Sequence, residues 1–183
     1  MSPPFTSTAS DSILSIRPET VDDIDAVTQM TTAAFLDHPY SRQTEAAIIF
    51  GLRASGALAV SLVAELSGGI VGHIAFSPIR LSGEASNWFG LGPVAVIPSL
   101  QRIGIGSALI HAGLATLRFR NAGGCVLVGD LGYYRRFGFV QAQGLVLPGV
   151  PSEYFLALPF AIGPIVGEVS FHPAFDNDAP AAG

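Results

Sequence analysis

The sequence predicts an α+β fold in which a mixed central β-sheet is flanked by helices within a single domain. Three observations support this prediction. The periodic runs follow the order strand, two helices, three strands, helix, strand, helix and further strands. Glycine-containing turns separate the three consecutive strands. The 183 residues, of which 49% are hydrophobic and 13% are charged, are enough for one sizeable core.

The two chain ends differ in composition from the rest. Residues 1–10 contain no basic residue and no apolar run, which is unlike a secretory signal. The other end is polar and rich in proline and alanine. We therefore expect a flexible N-terminal tail over residues 1–11, one domain over residues 12–172, and a C-terminal tail over residues 173–183.

The first elements follow from local signals. Residues 13–17 alternate as a short strand that Pro18 closes. Thr20 can cap a helix that runs through about Phe35, with Asp23 at the capping-box position.

Residues 37–40 break this helix, and a second helix is predicted from Ser41 toward Gly56. Three β-type runs follow, over residues 58–65, 70–81 and 88–96. The turns between them, at residues 67–69 and 82–84, are typical of antiparallel hairpins.

The second half begins with an apolar helix from about Gly104 to Arg120, which residues 121–124 can cap. The remaining predicted elements are a strand over 125–129, a short helix over 133–136, and strands near 139–141 and 154–158.

The junction between the third β-type run and the apolar helix predicts an anion site. The strand stops before Pro98, and Gly104 and Gly106 open the helix. Glycines there let backbone N–H groups at the positive helix end approach a phosphate without a Cβ in the way. The amides of residues 102–107 therefore predict a cradle for a pyrophosphate.

Other phosphate sites match this junction less well. A dinucleotide fingerprint needs a third glycine where Leu109 stands, and an acidic residue near positions 125–129, which have none. A Walker loop needs a lysine, and all nine basic residues are arginines. Taken alone, Gly104 and Gly106 are equally compatible with tight packing of a helix on a strand.

A second motif follows the next predicted strand. Residues 129–139 read GDLGYYRRFGF. With this motif the chain resembles the GNAT superfamily of acyl-CoA-dependent N-acyltransferases over roughly residues 13–160. The residues of the motif are similar to those of a bacterial branch of predicted acetyltransferases. The first family motif is matched by Gln101, Gly104 and Gly106, and the second by Tyr134, Gly138 and Phe139.

The resemblance implies an N-acetyltransferase that moves an acetyl group from acetyl-CoA to a primary amine by direct attack, with no covalent enzyme intermediate. It implies that strands 94–96 and 125–129 are parallel and splay apart. The pantetheine would pair with the strand edge, and one backbone N–H would polarise the thioester carbonyl. The expected contacts with coenzyme A are Val94, Ala95, Val96, Gln101, Arg102, Ile103, Gly104, Ile105, Gly106 and Ser107.

Tyr134 is the expected catalytic residue, because the resemblance places a phenol there close to the leaving sulfur. A phenol with a pKa near 10 is protonated at neutral pH and can act as general acid. A packing role for Tyr134 is the alternative, and Tyr133 is expected to pack. Arg135 and Arg136 can pair with a phosphate of the cofactor or remain solvated. Asp130 stands where many family members have asparagine, and we expect it to cap the short helix.

The base that takes the proton of the amine is not identified by the sequence. The candidates are His38, Glu45, His73, Glu84, Glu153 and His172. His73 lies within a β-type run, which favours a hydrogen-bonded core histidine, and Glu84 lies in a turn. Four aromatic residues can wall an acceptor pocket or belong to the core: Trp88, Phe89, Tyr154 and Phe155. The link over residues 144–152 can hang over the cleft.

Composition limits the classes of binding partner that we expect for this protein. A net charge of −5 argues against a nucleic-acid surface. The apolar stretch over residues 154–171 is interrupted by prolines and glycines and contains Glu168, so no membrane span is expected. Cys125 is the only cysteine and reads as a buried, inert thiol, compatible with a cytoplasmic protein.

No metal is expected. The acceptor is a small-molecule or peptide amine, and the protein is a monomer or homodimer. A non-catalytic acyl-CoA-binding or regulatory module on the same fold is the main alternative. A nucleotide-binding domain that uses the turn at Gly104 and Gly106 is a second alternative.

Overall fold

A mixed β-sheet forms the centre of the computed structural model, which describes residues 13–36, 41–163 and 165–176. The described strands are β1 (Ser15–Pro18), β2 (Val60–Leu66), β3 (Gly69–Leu81), β4 (Glu84–Val96), β5 (Gly124–Val128), β6 (Val140–Gln141), β7 (Leu145–Val146), β8 (Phe155–Pro159) and β9 (Gly167–Ser170). Their order is β1-β2-β3-β4-β5-β8-β6, while β9 pairs with β3 and with β7. Along that order only β4 and β5 are parallel. The predicted α+β fold is confirmed.

The described helices are α1 (Ile24–Phe35), α2 (Glu45–Ala54), α3 (Ile105–Phe119) and α4 (Leu131–Tyr134). A 3-10 turn over Val21–Asp23 precedes α1. There Thr20 and Asp23 form the predicted capping box, in which the Thr20 amide donates to the Asp23 carboxylate at 2.8 Å.

The helices cover the sheet on both faces because the strand side chains alternate. Leu62 and Ala64 of β2 join the main core cluster together with Leu109 of α3. Val63, between them, packs with Val27 of α1 on the opposite face. The α3 face and the α1–α2 face are therefore separate layers.

The start of α2 and the residues after α3 differ from the sequence prediction. Helix α2 begins at Glu45 rather than at Ser41, and the Ser41 hydroxyl bonds to the Glu45 carboxylate at 2.7 Å. The left-handed residue after α3 is Asn121, with φ 56°, and Gly124 already belongs to β5. The predicted break at residues 37–40 lies outside the described residues.

The segment after β8 is packed against the domain. Strand β9 pairs with β3 through Arg80 and Ser170. Residues 173–176, which we assigned to the C-terminal tail, form a 3-10 turn in which Ala174 is buried against α2. The packed region therefore extends at least to Asp176. The expected tail over residues 1–11 lies outside the described residues.

Candidate active site

Strands β4 and β5 separate halfway along β4. They pair at Trp88 with Gly124, Phe89 with Cys125 and Gly90 with Val126, and the pairing ends there. On its other side, β5 pairs with β8 along its whole length.

The separation coincides with a β-bulge. Leu91 opposes Phe76 and Val94 opposes Ile74, so β4 has one more residue than β3 in this interval. A bulge bends its strand. Within the described chain, the edge of β4 beyond Gly90 therefore has no strand partner on the β5 side.

Hydrogen-bond alternation shows which residues face this open edge. The amide of Ile97 donates to the carbonyl of Val71 at 3.0 Å, and His73 opposes Ala95 two residues along. In an antiparallel pair, residues two apart bond to the same partner strand. The backbone groups of Ala95 therefore face β3, and those of Val94 and Val96 face the gap. Ala95 thus has no main-chain group free for a ligand.

The loop after β4 forms a concave turn of unpaired amides. Arg102 and Gly104 both have positive φ, 64° and 102°. The first helical bond runs from the Ala108 amide to the Gly104 carbonyl at 2.9 Å. The amide N–H groups of residues 102–107 have no acceptor among the described residues. Unpaired N–H groups on such a turn at a helix N-terminus suit a diphosphate.

Side chains around this turn hold it in place. The Gln101 side chain donates to the carbonyl of Val96 at 3.0 Å, so Gln101 ties the loop to the end of β4. Ile105 is buried in the main core, whereas Ile103 is 66% exposed. Ser107 is partly exposed in the first turn of α3.

Tyr134 lies at the end of β5, beyond the point where the strands separate. A Cβ on Gly129 would lie 2.5 Å from its ring, so this close approach requires glycine. Its ring packs edge-on against Phe139, with centroids 6.0 Å apart. The phenol makes no hydrogen bond with the residues that the structure describes. Burial raises the pKa of Tyr134 to about 12, so the phenol is fully protonated at neutral pH.

Tyr133 connects the short helix to the phosphate cradle. Its hydroxyl lies 3.7 Å from the position that a Cβ on Gly106 would take. The Arg136 guanidinium stacks on its ring at 4.5 Å and donates to its carbonyl. Asp130 accepts a hydrogen bond from the Tyr133 amide at 3.0 Å, which confirms the predicted N-cap. Sequence reasoning missed that Tyr133 approaches the cradle.

Two of the candidate bases are remote or engaged. His73 is fully buried, and its Nε2 lies 2.7 Å from the Ser61 hydroxyl and 3.2 Å from the Glu19 carboxylate. This confirms a hydrogen-bonded core histidine. Glu84 is exposed at the far end of the β3–β4 hairpin, roughly 20 Å along the strand from Leu91.

The other candidate bases differ in their hydrogen bonds and in their exposure. Glu45 is bonded by Ser41, and Nδ1 of His172 accepts from the Ala174 amide at 3.1 Å. Glu153 is exposed in the turn that precedes β8, next to Tyr154. His38 lies outside the described residues.

Glu153 is linked to Tyr134 through the backbone of its neighbour. The carbonyl of Tyr154, beside it, accepts from the amide of Gly129 at 2.8 Å. Since Gly129 contacts the Tyr134 ring, this turn and the phenol meet at the same end of β5.

Of the four aromatic residues that could wall an acceptor pocket or belong to the core, Trp88 and Phe155 are buried core residues. Phe89 is partly buried against the main core, and Tyr154 is 50% exposed. Phe171 was not expected. Its ring covers Gly90 so closely that a Cβ there would overlap it.

Residues 144–152 do not form a free link over the cleft. Leu145 is buried in the core cluster below β7 and opposes Gly167 of β9. This part of the prediction is wrong, because Leu145, Leu147 and Val150 pack in the same core cluster.

Further observations concern metals, thiols and membranes. Cys125 is fully buried, and this burial raises the pKa of its thiol well above the ordinary range, as expected for an inert cysteine. In the described part of the chain no group of three or more His, Cys, Asp or Glu side chains could hold a metal ion. None of the described helices is both long and apolar enough to span a bilayer.

Comparison with known proteins gives consistent matches. Residues 58–141 match the family model of the acetyltransferase (GNAT) domain. The chain is 31% identical over 151 residues to an uncharacterised N-acetyltransferase, YhbS of Escherichia coli K12, a match that covers 79% of this chain and 90% of that protein.

Two solved structures share the fold along nearly their whole length. A GNAT family acetyltransferase from Brucella melitensis, crystallised with acetyl-CoA, is 48% identical with a TM-score of 0.81, over 90% of this chain and 99% of that chain. The structure of Escherichia coli YhbS with CoA is 28% identical with a TM-score of 0.83, over 92% of this chain and 94% of that chain.

Proposed function

The chain belongs to the GNAT family and is an acetyl-CoA-dependent N-acetyltransferase, and we propose that the gap between β4 and β5 is its active site. The unpaired amides of residues 102–107 are the observation that supports this assignment most directly. They would hold the diphosphate, with the positive end of α3 beneath it.

The open edge of β4 would bind the rest of the cofactor. Val94 and Val96 direct backbone groups toward the gap, so they can pair with the two amides of pantetheine as a neighbouring strand would. One of their N–H groups would polarise the thioester carbonyl, a contribution worth roughly 3–4 kcal/mol of barrier in other enzymes.

Tyr134 would act on the sulfur as the C–S bond breaks and the amine nitrogen forms the new C–N bond. Its raised pKa, about 12, keeps the hydroxyl proton in place for a hydrogen bond to the leaving thiolate. An ordinary thiol has a pKa of about 8.5. Because the pKa of the thiol is lower than that of Tyr134, the proton stays on the phenol. Tyr134 therefore stabilises the thiolate chiefly as a hydrogen-bond donor. The amine proton leaves to solvent or to a base.

The acceptor that we propose is a primary amine of a small molecule or of a peptide N-terminus. The net charge of −5 supports a protein that acts without nucleic acid. We also propose that the protein is cytoplasmic, with which a single buried cysteine is compatible. We propose further that it binds no membrane and is a monomer or a homodimer. No observation on the described residues favours a non-catalytic module.

Release of free thiol from acetyl-CoA, measured across a panel of amines, tests this function. We expect at least one amine to raise the rate above hydrolysis and to yield its N-acetyl derivative by mass spectrometry. Tight binding of acetyl-CoA with no amine-dependent thiol release would contradict the enzymatic function. Binding of NAD or ATP in preference to acetyl-CoA would contradict the cofactor assignment.

A further inference from the structure

A second pocket lies at the β1 edge of the sheet, beside the C-terminal half of α3. Its volume is about 730 Å³. Residues from the end of β1, the start of β2, the end of α2 and the C-terminal half of α3 line it. Because α3 rises about 1.5 Å per residue, Arg120 at the pocket is roughly 20 Å from the first turn of the helix. The pocket is therefore separate from the cradle at residues 102–107.

The walls of this pocket are mainly apolar. Side chains of β1, β2 and the segments beside them form most of the surface: Ile16, Val21, Ile24, Leu58, Val60 and Leu62. Val21 at the rim is 78% exposed, so apolar surface here remains in contact with water. Covering it with a hydrocarbon group would be favourable.

Arginines supply the positive charge of the pocket. Three of the nine arginines of the chain line it. Arg17 is fully engaged, because its guanidinium bonds to both Asp23 and Glu65. Arg53 pairs with Glu19.

Arg120 differs from the other two. Its Nη1 donates to the carbonyl of Ala59 at 2.6 Å, and none of the described carboxylates pairs with it. A guanidinium has five N–H donors, so most of those on Arg120 stay available at the mouth of the pocket.

We propose that this pocket binds a small apolar monocarboxylate, with its carboxylate on Arg120 and its hydrocarbon on the apolar walls. Carboxylates form strong paired hydrogen bonds with a free guanidinium. Arg17 and Arg53 pair with three carboxylates, those of Glu19, Asp23 and Glu65, and Arg120 pairs with none of them. Only one guanidinium is therefore left for a ligand, so a single negative charge is accommodated better than two. The proposal is independent of the acetyltransferase site.

Calorimetric titration with hexanoate tests this proposal, in the presence of saturating CoA so that the other site is filled. Hexanamide serves as the neutral isostere and inorganic phosphate as a compact anion without a hydrocarbon. We expect a Kd for hexanoate of about 1 mM, which is reasonable for so small a ligand. Hexanamide should bind up to about fivefold more weakly, since an accessible charge pair is worth up to about that factor. Phosphate should also bind more weakly, because it has no hydrocarbon to cover the apolar walls.

Two arginine variants localise the binding. Arg120→Gln should weaken hexanoate about fivefold, as loss of one accessible charge pair predicts. Arg80→Gln is the matched control, because Arg80 is also exposed and donates to a backbone carbonyl, that of Gly83, at 2.6 Å. It should bind hexanoate like the wild type. Equal binding of hexanamide, an equal loss in both variants, or no binding of hexanoate would overturn the proposal.

Discussion

The two proposed binding sites, one at each end of helix α3, are built from different groups. At its N-terminus the proposed cradle consists of main-chain N–H groups from residues 102–107. At its C-terminus the second pocket depends on side chains that converge from β1, α2 and the residue after α3. A main-chain site is resistant to most substitutions but fails when the backbone or its local charge changes. A side-chain site is also coupled to stability, because removing one partner of a charge pair leaves the other charge unpaired.

The largest expected effect is that of Gly104→Glu on binding of acetyl-CoA. A Cβ at Gly104 would meet nothing within 4 Å, so the change places a carboxylate beside the diphosphate without a clash. Like charges in contact cost several kcal/mol, so we expect affinity to fall roughly 100-fold or more by calorimetry.

Gly83→Glu is the matched control for backbone strain. Gly83 also has a positive φ, 84°, and open space around it, but it lies in the hairpin turn between β3 and β4. It should lose similar stability and keep its affinity for acetyl-CoA. If both variants lose affinity equally, a general effect on folding, and not the charge at the cradle, is responsible.

The next effect separates the adjacent tyrosines. Tyr134→Phe removes the donor to the leaving sulfur and should lower kcat about 10- to 100-fold, since a hydrogen bond to a charged group is worth about 1.5–3 kcal/mol. KM for acetyl-CoA should hardly change. Because the pKa of Tyr134 is about 12, the rate should not fall as the pH rises through 10 on account of this group.

Tyr133→Phe is the control and should show the reverse pattern. Its hydroxyl lies beside Gly106 in the cradle, so KM for acetyl-CoA should rise a few-fold while kcat stays nearly constant. An unchanged kcat in Tyr134→Phe with a working acceptor would remove the catalytic assignment.

At the other end of α3, Glu19→Gln should affect stability and leave binding of acetyl-CoA unchanged. Burial opposes ionisation of Glu19, but hydrogen bonds from His73 and Ser61 and the ion pair with Arg53 lower its pKa from 4.5 to about 2. The ionised form therefore stabilises the fold above pH 4.5, by roughly 2–3 kcal/mol. This stabilisation is lost as the pH falls from 4.5 through 2.

Urea unfolding at several pH values measures this effect. The wild type should lose its advantage over Glu19→Gln between pH 4.5 and 2, and the two should converge below that range. The exposed Glu84→Gln is the control and should match the wild type throughout. A constant difference between wild type and Glu19→Gln across this range would contradict the lowered pKa.

The same contrast explains what the sequence alone could predict. The proposed roles of Gly104 and Gly106, and the capping role of Asp130, depend on the backbone beside them, so they follow from local pattern. Tyr134 was identified through the family motif. Ala95 was predicted as a contact, but its register with β3 directs its backbone away from the gap, and no local pattern reveals register.

Contacts between distant segments could not be predicted. Glu19, Arg53, Ser61 and His73 come from four parts of the chain and meet only when β1, α2, β2 and β3 assemble. Strand β9 has four residues, and its pairing with β3 and β7 spans up to 90 residues of chain, so no local signal marked it or Phe171.

The smallest expected effect concerns Asp130, which lies between β5 and α4. Its carboxylate caps α4 through the Tyr133 amide, so Asp130→Ala should cost about 1 kcal/mol of stability, as loss of an N-cap does. Asp130→Asn keeps an oxygen acceptor at the same place and should restore most of the lost stability.

If Asp130 is only a cap, KM for acetyl-CoA stays constant in both variants while urea unfolding distinguishes them. A KM that rises in Asp130→Ala and recovers in Asp130→Asn, with equal stability, would instead make Asp130 a contact of the cofactor. The cradle would then depend on a side chain after all, and the contrast between the two ends of α3 would be weaker.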